Sequence, residues 1–390
     1  MASEAPLRFG LIGAGRIGTH HARTLAQRLP GVQLVAVADP APGAAAALGD
    51  RFGARAVTDP AELLAATDVD AVAITCSSTA HAQLCIAAAE AGKAIFVEKP
   101  MAMTLADADR VIAAVERAGV PLQVGFNRRY ARDFVAAHDI VAGGGIGTPQ
   151  LLRSCTRDPG LANPAAVPPG TIFTQTLIHD FDLLNWMNPG ATAVEVTAVA
   201  DALVAPDFKP AGLLDSAVVT IRYDNGAIAT ADASFSAAYG YDVRGEVFGS
   251  RGMVTIGSPA QVTMQHWSAA GVAAPTLRSD TDLLDDAYVA EFAAFCRAVR
   301  EGSAVEVGAR DARAALRIAL ACIESVRRGG TVQIGDARQV GDPAQIGGTV
   351  QIGGTAQTGG SVDQIEDTAS GSLLTPTIAP ATATAQAVSA

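Results

Sequence analysis

The segment Gly10–Ala22, GLIGAGRIGTHHA, restricts the fold of this chain more than any other. An apolar run ends in Gly13, Gly15 and Gly18 at G-x-G-x-x-G spacing, and a helix-length stretch follows. Gly13 suits a tight turn, Gly15 a close backbone approach to a pyrophosphate, and Gly18 a helix seated on its strand. Amides at the helix N-terminus then face the anion, with Arg16 and Ile17 inside the same loop. Glycines at this spacing can also mark only a turn, so context decides. VAVADP ends a second apolar run with Asp39, where a carboxylate accepts ribose hydroxyls and repels a 2′-phosphate. No arginine follows Asp39 within reach, so NAD is expected rather than NADP; the alternative is a plain turn residue before Pro40.

From Arg8 to Gln123 short apolar runs alternate with amphipathic stretches, ending with AIFVEKP, LADADRVIAAVERAG and PLQVGF. Continuous apolar runs separated by helices imply parallel strands joined by right-handed crossovers, a doubly wound sheet. After about Gly125 the strands lengthen and turn signals appear. YDNGAI places Asn-Gly between apolar residues, a hairpin signal. An α/β chain is therefore expected, with a Rossmann parallel sheet in residues 1–124. Residues 125–334 are expected to form an α/β domain with an open, largely antiparallel sheet and helices on one face. Helices are expected over TLIHDFDLLNWM, DDAYVAEFAAFCRAVREG and ARDARAALRIALACIESVRRG. Beyond residue 334 TVQIG and QIGG recur among Thr, Ala, Gly and Ser, which suggests a disordered tail over 335–390.

A chain of 390 residues exceeds what one core usually organises. A net charge of −11 without any Lys/Arg block disfavours a nucleic-acid partner. Cys76, Cys85, Cys155, Cys296 and Cys322 are odd in number and lack C-x-x-C, which argues against a disulfide framework or zinc knuckle and for the reducing cytoplasm. MASEAPLRFG does not read as a signal peptide, and no apolar stretch approaches the roughly 18 residues of a membrane span. His20, His21, His138 and His266 show no metal-ligand spacing, so no metal is expected.

IFVEKP ends what reads as the fourth strand and puts Glu98 and Lys99 at the crevice of the sheet, beside a bound nicotinamide. A desolvated lysine there can shuttle the hydroxyl proton as hydride leaves carbon; a surface lysine after a strand is the alternative. Together the G-x-G-x-x-G, the EKP, GFNRRY and the H-D-x-D-x-L helix resemble the Gfo/Idh/MocA oxidoreductase family, and within it the inositol 2-dehydrogenases. The likeness runs from about Leu7 to Ile334.

That resemblance implies reversible hydride exchange between a nicotinamide and a carbinol of a cyclitol or sugar. It also implies a homo-oligomer, a dimer or tetramer formed through the second sheet, with homotetramer the form expected. It matches Lys99 and His179 to the family's catalytic pair. The family usually carries D-x-x-x-H, whereas this chain has Gln175 four residues before His179. An amide cannot take a proton or stabilise an imidazolium by charge, so Gln175 is expected to orient the ring or a substrate hydroxyl. Asp182 near the same face reads better as a packing or capping acid.

Ser77, Ser78 and His81 of CSSTAH resemble the loop along the cofactor, although His81 could equally cap a helix. Asp158 of TRDP and Tyr239 or Tyr241 of YGYD resemble substrate-facing positions; a turn acid and a half-buried ring are the alternatives. Arg128 and Arg129 read best as partners of acids at the domain junction.

The expected function is NAD-dependent oxidation of an inositol ring hydroxyl. The alternatives are the same chemistry on another pyranose or aminocyclitol, or as a reductase, and a non-catalytic NAD-binding regulator.

Overall fold

The structure, a computed structural model, describes residues 5–257 and 264–335. The expectation of a disordered tail lies, beyond Gly335, outside the described residues.

The chain opens with β1 (Leu7–Ile12), α1 (Arg16–Gln27), β2 (Val32–Ala38), α2 (Ala44–Phe52), β3 (Arg55–Val57) and α3 (Pro60–Ala65). It continues through β4 (Ala71–Ile74), α4 (Ser78–Glu90), β5 (Ala94–Val97), α5 (Leu105–Ala118) and β6 (Leu122–Val124). The six strands form one parallel sheet in the order β3-β2-β1-β4-β5-β6. β4 and β5 are buried at every position, as continuous apolar strands covered on both faces must be. Local chemistry sets the helix ends: the Thr104 hydroxyl caps α5 by accepting the Asp107 N–H at 3.1 Å, and Gly119 ends the helix in the left-handed region.

β3 and α3 were not expected. β3 is a three-residue edge strand with two exposed positions, too short for an apolar run to register. EKP therefore follows the fifth strand rather than the fourth, and CSSTAH follows the fourth.

The second half begins with α6 (Arg132–Ala142), β7 (Pro149–Arg157) and α7 (Leu177–Trp186), then β8 (Ala193–Asp201), β9 (Ser216–Tyr223), β10 (Ile228–Ser234), β11 (Asp242–Gly249) and β12 (Gly252–Ile256). A small hairpin, β13 (His266–Ser268) and β14 (Gly271–Ala273), leads to α8 (Asp280–Leu283), α9 (Asp285–Glu301), α10 (Ala309–Arg328) and β15 (Val332–Gln333). The sheet order is β12-β11-β7-β10-β9-β8-β15, antiparallel except for the β7–β10 pair. Asn225 and Gly226 make the expected hairpin turn between β9 and β10. TRDP is the end of β7 as much as a loop, since the strand runs through Arg157. α7 and α10 cover one face of this sheet.

α9, from the carboxyl-terminal third, packs on the first sheet. Phe292 stacks on Phe96 at 4.0 Å between ring centroids and meets Phe9 edge-on at 6.1 Å. A division at residue 124 describes the order of the chain but not its packing, because the core around Phe9 and Phe96 includes Phe292, Phe295 and Cys296. No helix among the described residues is long and apolar enough to cross a membrane.

Candidate active site

The first turn after β1 is built for close approach. Gly13 sits at φ 107°, and a Cβ there would lie 2.5 Å from the Cys76 nitrogen; one on Gly18 would lie 1.9 Å from the Gly13 carbonyl oxygen. A Cβ on Gly15 would meet nothing within 4 Å, so that side of the loop is open. α1 starts at Gly15 with no side-chain cap and no acid in its first turn, which leaves its N–H groups for an anion. Asp39, at the end of β2, accepts the Ala14 N–H at 2.7 Å and the Ala41 N–H at 2.8 Å, so its carboxylate is fixed beside the loop. These features fit an NAD pyrophosphate and ribose.

At the carboxyl ends of β1, β4 and β5 a cavity of about 560 Å³ opens, lined among others by Arg16, Ile17, Ser78, His81, Glu98, Lys99, Asp158, Gln175, His179 and Tyr241. Lys99 leaves β5 before a cis Lys99–Pro100 bond. Its Nζ donates to the Gln175 main-chain oxygen at 3.0 Å. Burial lowers the Lys99 pKa, opposed by Glu98, Asp280 and Asp158 and assisted by Arg16. His179 is the third residue of α7, and burial pushes it well below the ordinary imidazole value, with the Lys99 and Arg128 cations adding to the effect.

A π-helical turn, Ile172–Thr176, precedes α7 and carries Gln175. The expected hold of the imidazole by the Gln175 amide is not formed. The amide nitrogen donates to Ser78 Oγ at 3.0 Å, and His179 Nδ1 is buried without a partner. The wider π turn breaks the regular helical spacing on which that expectation rested.

Asp158 follows β7 with its main chain pinned on both sides, N–H to Ser234 and oxygen to Ala237 N–H. Burial raises its pKa, while the Tyr241 hydroxyl, which donates to it, and Lys99 pull it back. Tyr241 is itself pushed well above its ordinary value by burial, then by Asp158, and remains a donor.

Two families of residues match known proteins. Residues 7–126 match the Gfo/Idh/MocA oxidoreductase family, NAD-binding Rossmann fold, and residues 134–255 match the Gfo/Idh/MocA carboxyl-terminal domain. The chain belongs to the Gfo/Idh/MocA oxidoreductase family. It is an oxidoreductase with NAD as its cofactor. It is 35% identical to myo-inositol 2-dehydrogenase of Thermotoga maritima over 84% of this chain and 98% of the relative. It is 34% identical to scyllo-inositol 2-dehydrogenase (NAD(+)) of Bacillus subtilis over 85% and 97%. The crystal structure of Lactobacillus casei scyllo-inositol dehydrogenase with bound NAD(H) and scyllo-inositol superposes with a TM-score of 0.81 at 26% identity, covering 84% of this chain and 99% of that one.

Within this family member, Tyr239 and Ser77 stand apart from the cavity, whereas His81 and Arg128 line it. Tyr239 is 45% exposed and donates to Asp242 at 2.6 Å, so Tyr241 is the tyrosine of YGYD that reaches the site. Ser77, the N-cap residue of α4, pairs with Thr79 Oγ1 at 3.0 Å and does not line the cavity. His81 is buried between the carbonyls of Cys76 (3.1 Å) and Pro100 (2.8 Å), and burial keeps the imidazole neutral, so it donates to one of them at the turns after β4 and β5. Arg129 pairs with Asp182 through bonds of 2.8 and 2.5 Å, and Arg128 with Asp180 at 2.9 Å, as expected of acids and arginines at the junction.

Several lining groups were not foreseen: Arg278, Ser279, Asp280 and Tyr288 fold back over the cavity. Asp280 pairs with Arg16 at 2.8 and 3.1 Å, fastening the phosphate loop to α8. In sequence, SDTDLLDDAY reads only as an acid-rich helix start, and nothing local links it to the loop. His21, in which no metal spacing was found, lies with Glu98 and Glu291 in one buried group.

Proposed function

We propose that this chain oxidises a ring hydroxyl of an inositol to the ketone, with NAD as hydride acceptor and Lys99 and His179 handling the proton. The observation that carries this reading is the meeting of Lys99 and His179 in one cavity at the carboxyl ends of the NAD-binding sheet. The names and ligands of the inositol dehydrogenase relatives support the substrate class.

NAD bound at the glycine loop supplies the hydride acceptor. As hydride leaves the carbinol carbon, the hydroxyl proton passes to a base. A partly desolvated Lys99 offers a neutral amine at lower pH than a solvated lysine does, and His179, kept neutral by burial and two nearby cations, offers a second acceptor. Asp158, with Tyr241 donating to it, gives the substrate side a carboxylate that accepts hydroxyls. The ordinary family acid before His179 is absent, so Glu98, Asp280 and Asp158 are the anions that act on Lys99 in this reading. Gln175 holds Lys99 through its main chain, whatever its side chain; its amide bears on charge and on Ser78.

The test is NADH formation with NAD or NADP against inositol isomers and pyranoses across pH, with Gln175→Asp alongside. Turnover of an inositol with NAD is expected. In Gln175→Asp a new carboxylate raises the pKa of both bases, so the neutral form needs higher pH and the rising limb of the rate moves up by about one pH unit. Gln175 in place of the acid is also the observation that favours a second reading, the same chemistry on another pyranose or an aminocyclitol. Turnover of those substrates, with silence on every inositol, would select it. Absence of any turnover would leave an NAD-binding regulator.

The face of the second sheet away from α7 and α10 exposes Leu151, Ile228 and Phe248 on adjacent strands, and Val199 beside Val218. We read this apolar face as the contact between copies of the chain, since it would otherwise meet water. Sedimentation velocity is expected to give a dimer or tetramer, and a monomer at micromolar concentration would remove the reading.

A further inference from the structure

α9 places Glu291 beneath the floor of the cavity. The residue is wholly buried, and neither carboxyl oxygen has a hydrogen-bond partner. One side-chain atom each from Glu291, His21 and Glu98 lies within 4.8 Å of the other two. Aromatic rings wall the group: Phe292, Tyr288 and Phe96 stand edge-on to His21 at 5.0, 5.4 and 5.8 Å. Two ionised carboxylates this close, in an apolar shell, repel each other and lack solvation, so one of them has to be neutral. Glu98 is the one with donors, His21 Nε2 at 2.7 Å and the Lys99 N–H at 3.2 Å, whereas Glu291 has none.

We propose that Glu291 is a positioning residue, held as a neutral carboxylic acid whose hydroxyl faces the Glu98 carboxylate, so that Glu98 alone stays ionised beside Lys99. The inference rests on the reading that Lys99 handles the proton. Burial pushes Glu291 well up, and the Glu98 charge adds to it. Burial also pushes Glu98 up, but His21 and Lys99 outweigh it and hold that carboxylate below its ordinary value. The titratable groups facing this pair are His21 on α1, Lys99 after β5, His81 on α4, Tyr130 before α6 and Tyr288 on α9, with His20 acting on His21 and Asp280 on Tyr288 behind them. A neutral Glu291 adds a donor without adding charge, so the anion that steadies the Lys99 ammonium is kept single and fixed. Glu291 touches no reacting atom and acts through Glu98.

Two measurements on the full-length protein test this. In the infrared, the wild type at neutral pH is expected to show the carbonyl stretch of a buried protonated carboxylic acid, and Glu291→Gln to lack it. In kinetics, Glu291→Leu removes the donor that faces Glu98, while His21 and Lys99 keep Glu98 ionised. A neutral Glu291 brings no charge to Lys99, so the rising limb of kcat against pH is expected to stay where the wild type has it, and kcat to fall because Glu98 is less firmly held. Glu291→Gln, an uncharged isostere that can still donate, is expected to restore kcat on the same limb. Circular dichroism and NADH binding report folding of both variants, and if Glu291→Leu does not fold, the infrared band and Glu291→Gln still decide. The proposal is overturned if the band is absent, if Glu291→Gln moves the limb down as loss of an ionised carboxylate would, or if a stoichiometric divalent metal travels with the purified wild type. Infrared and metal content are read without substrate, so their failure is distinct from silence of the wild type on every polyol.

Discussion

Lys99→Met is expected to lower kcat/KM for NAD reduction by about 10²- to 10⁴-fold, the range over which a positioned acid or base accelerates proton transfer. Methionine replaces the unbranched stem of the side chain and removes the amine with its bond to the Gln175 carbonyl. Glu98 keeps His21 as a donor, and the glycine loop and Asp39 are untouched, so NADH affinity should change little. Steady-state kinetics with a parallel NADH fluorescence titration separates the two effects. A loss under about tenfold would place the proton on His179 instead.

Arg128→Met should be the most destabilising single change near the site. Arg128 donates to Asp180 at 2.9 Å and to Thr156 Oγ1 at 2.6 Å, and Asp180 also accepts from the hydroxyls of Ser154 and Thr156. Asp180 has no exposed surface, so removal of the guanidinium leaves a buried carboxylate with only two hydroxyl donors. Breaking such a pair from one side costs about 3–5 kcal/mol. The network joins α7, which carries His179, to β7, which leads into Asp158, so the loss should fall on the site as well as on the fold. A thermal melt of the apo protein checks it. An unchanged midpoint would mean that water reaches Asp180 and replaces the arginine.

The parts of this molecule written into neighbouring residues were readable from the sequence. Gly13, Gly15, Gly18 and the following helix make a local motif whose spacing is its mechanism, and Asn225-Gly226 fixes a hairpin within four residues. The parts made by distant residues were not. Gln175 meets Ser78, Arg16 meets Asp280, and Glu98 meets Glu291, each pair brought together only by packing. Within YGYD the choice between Tyr239 and Tyr241 depends on which ring the chain turns inward ahead of β11, and two tyrosines two residues apart carry no mark of that. β3 escaped for a different reason, since three residues at an exposed edge carry too little apolar patterning to stand out.

The packing of α9 on the first sheet bears on how the molecule is made. Phe9 and Phe96 leave the ribosome long before Phe292, which covers them, and contacts so distant in sequence form late and slowly. During synthesis the nucleotide-binding layer therefore spends most of its time with an aromatic face uncovered, a surface a chaperone would hold. A fragment ending at residue 124 would carry the same face permanently, so the nucleotide-binding half is not a module that can be cut out and moved to another protein.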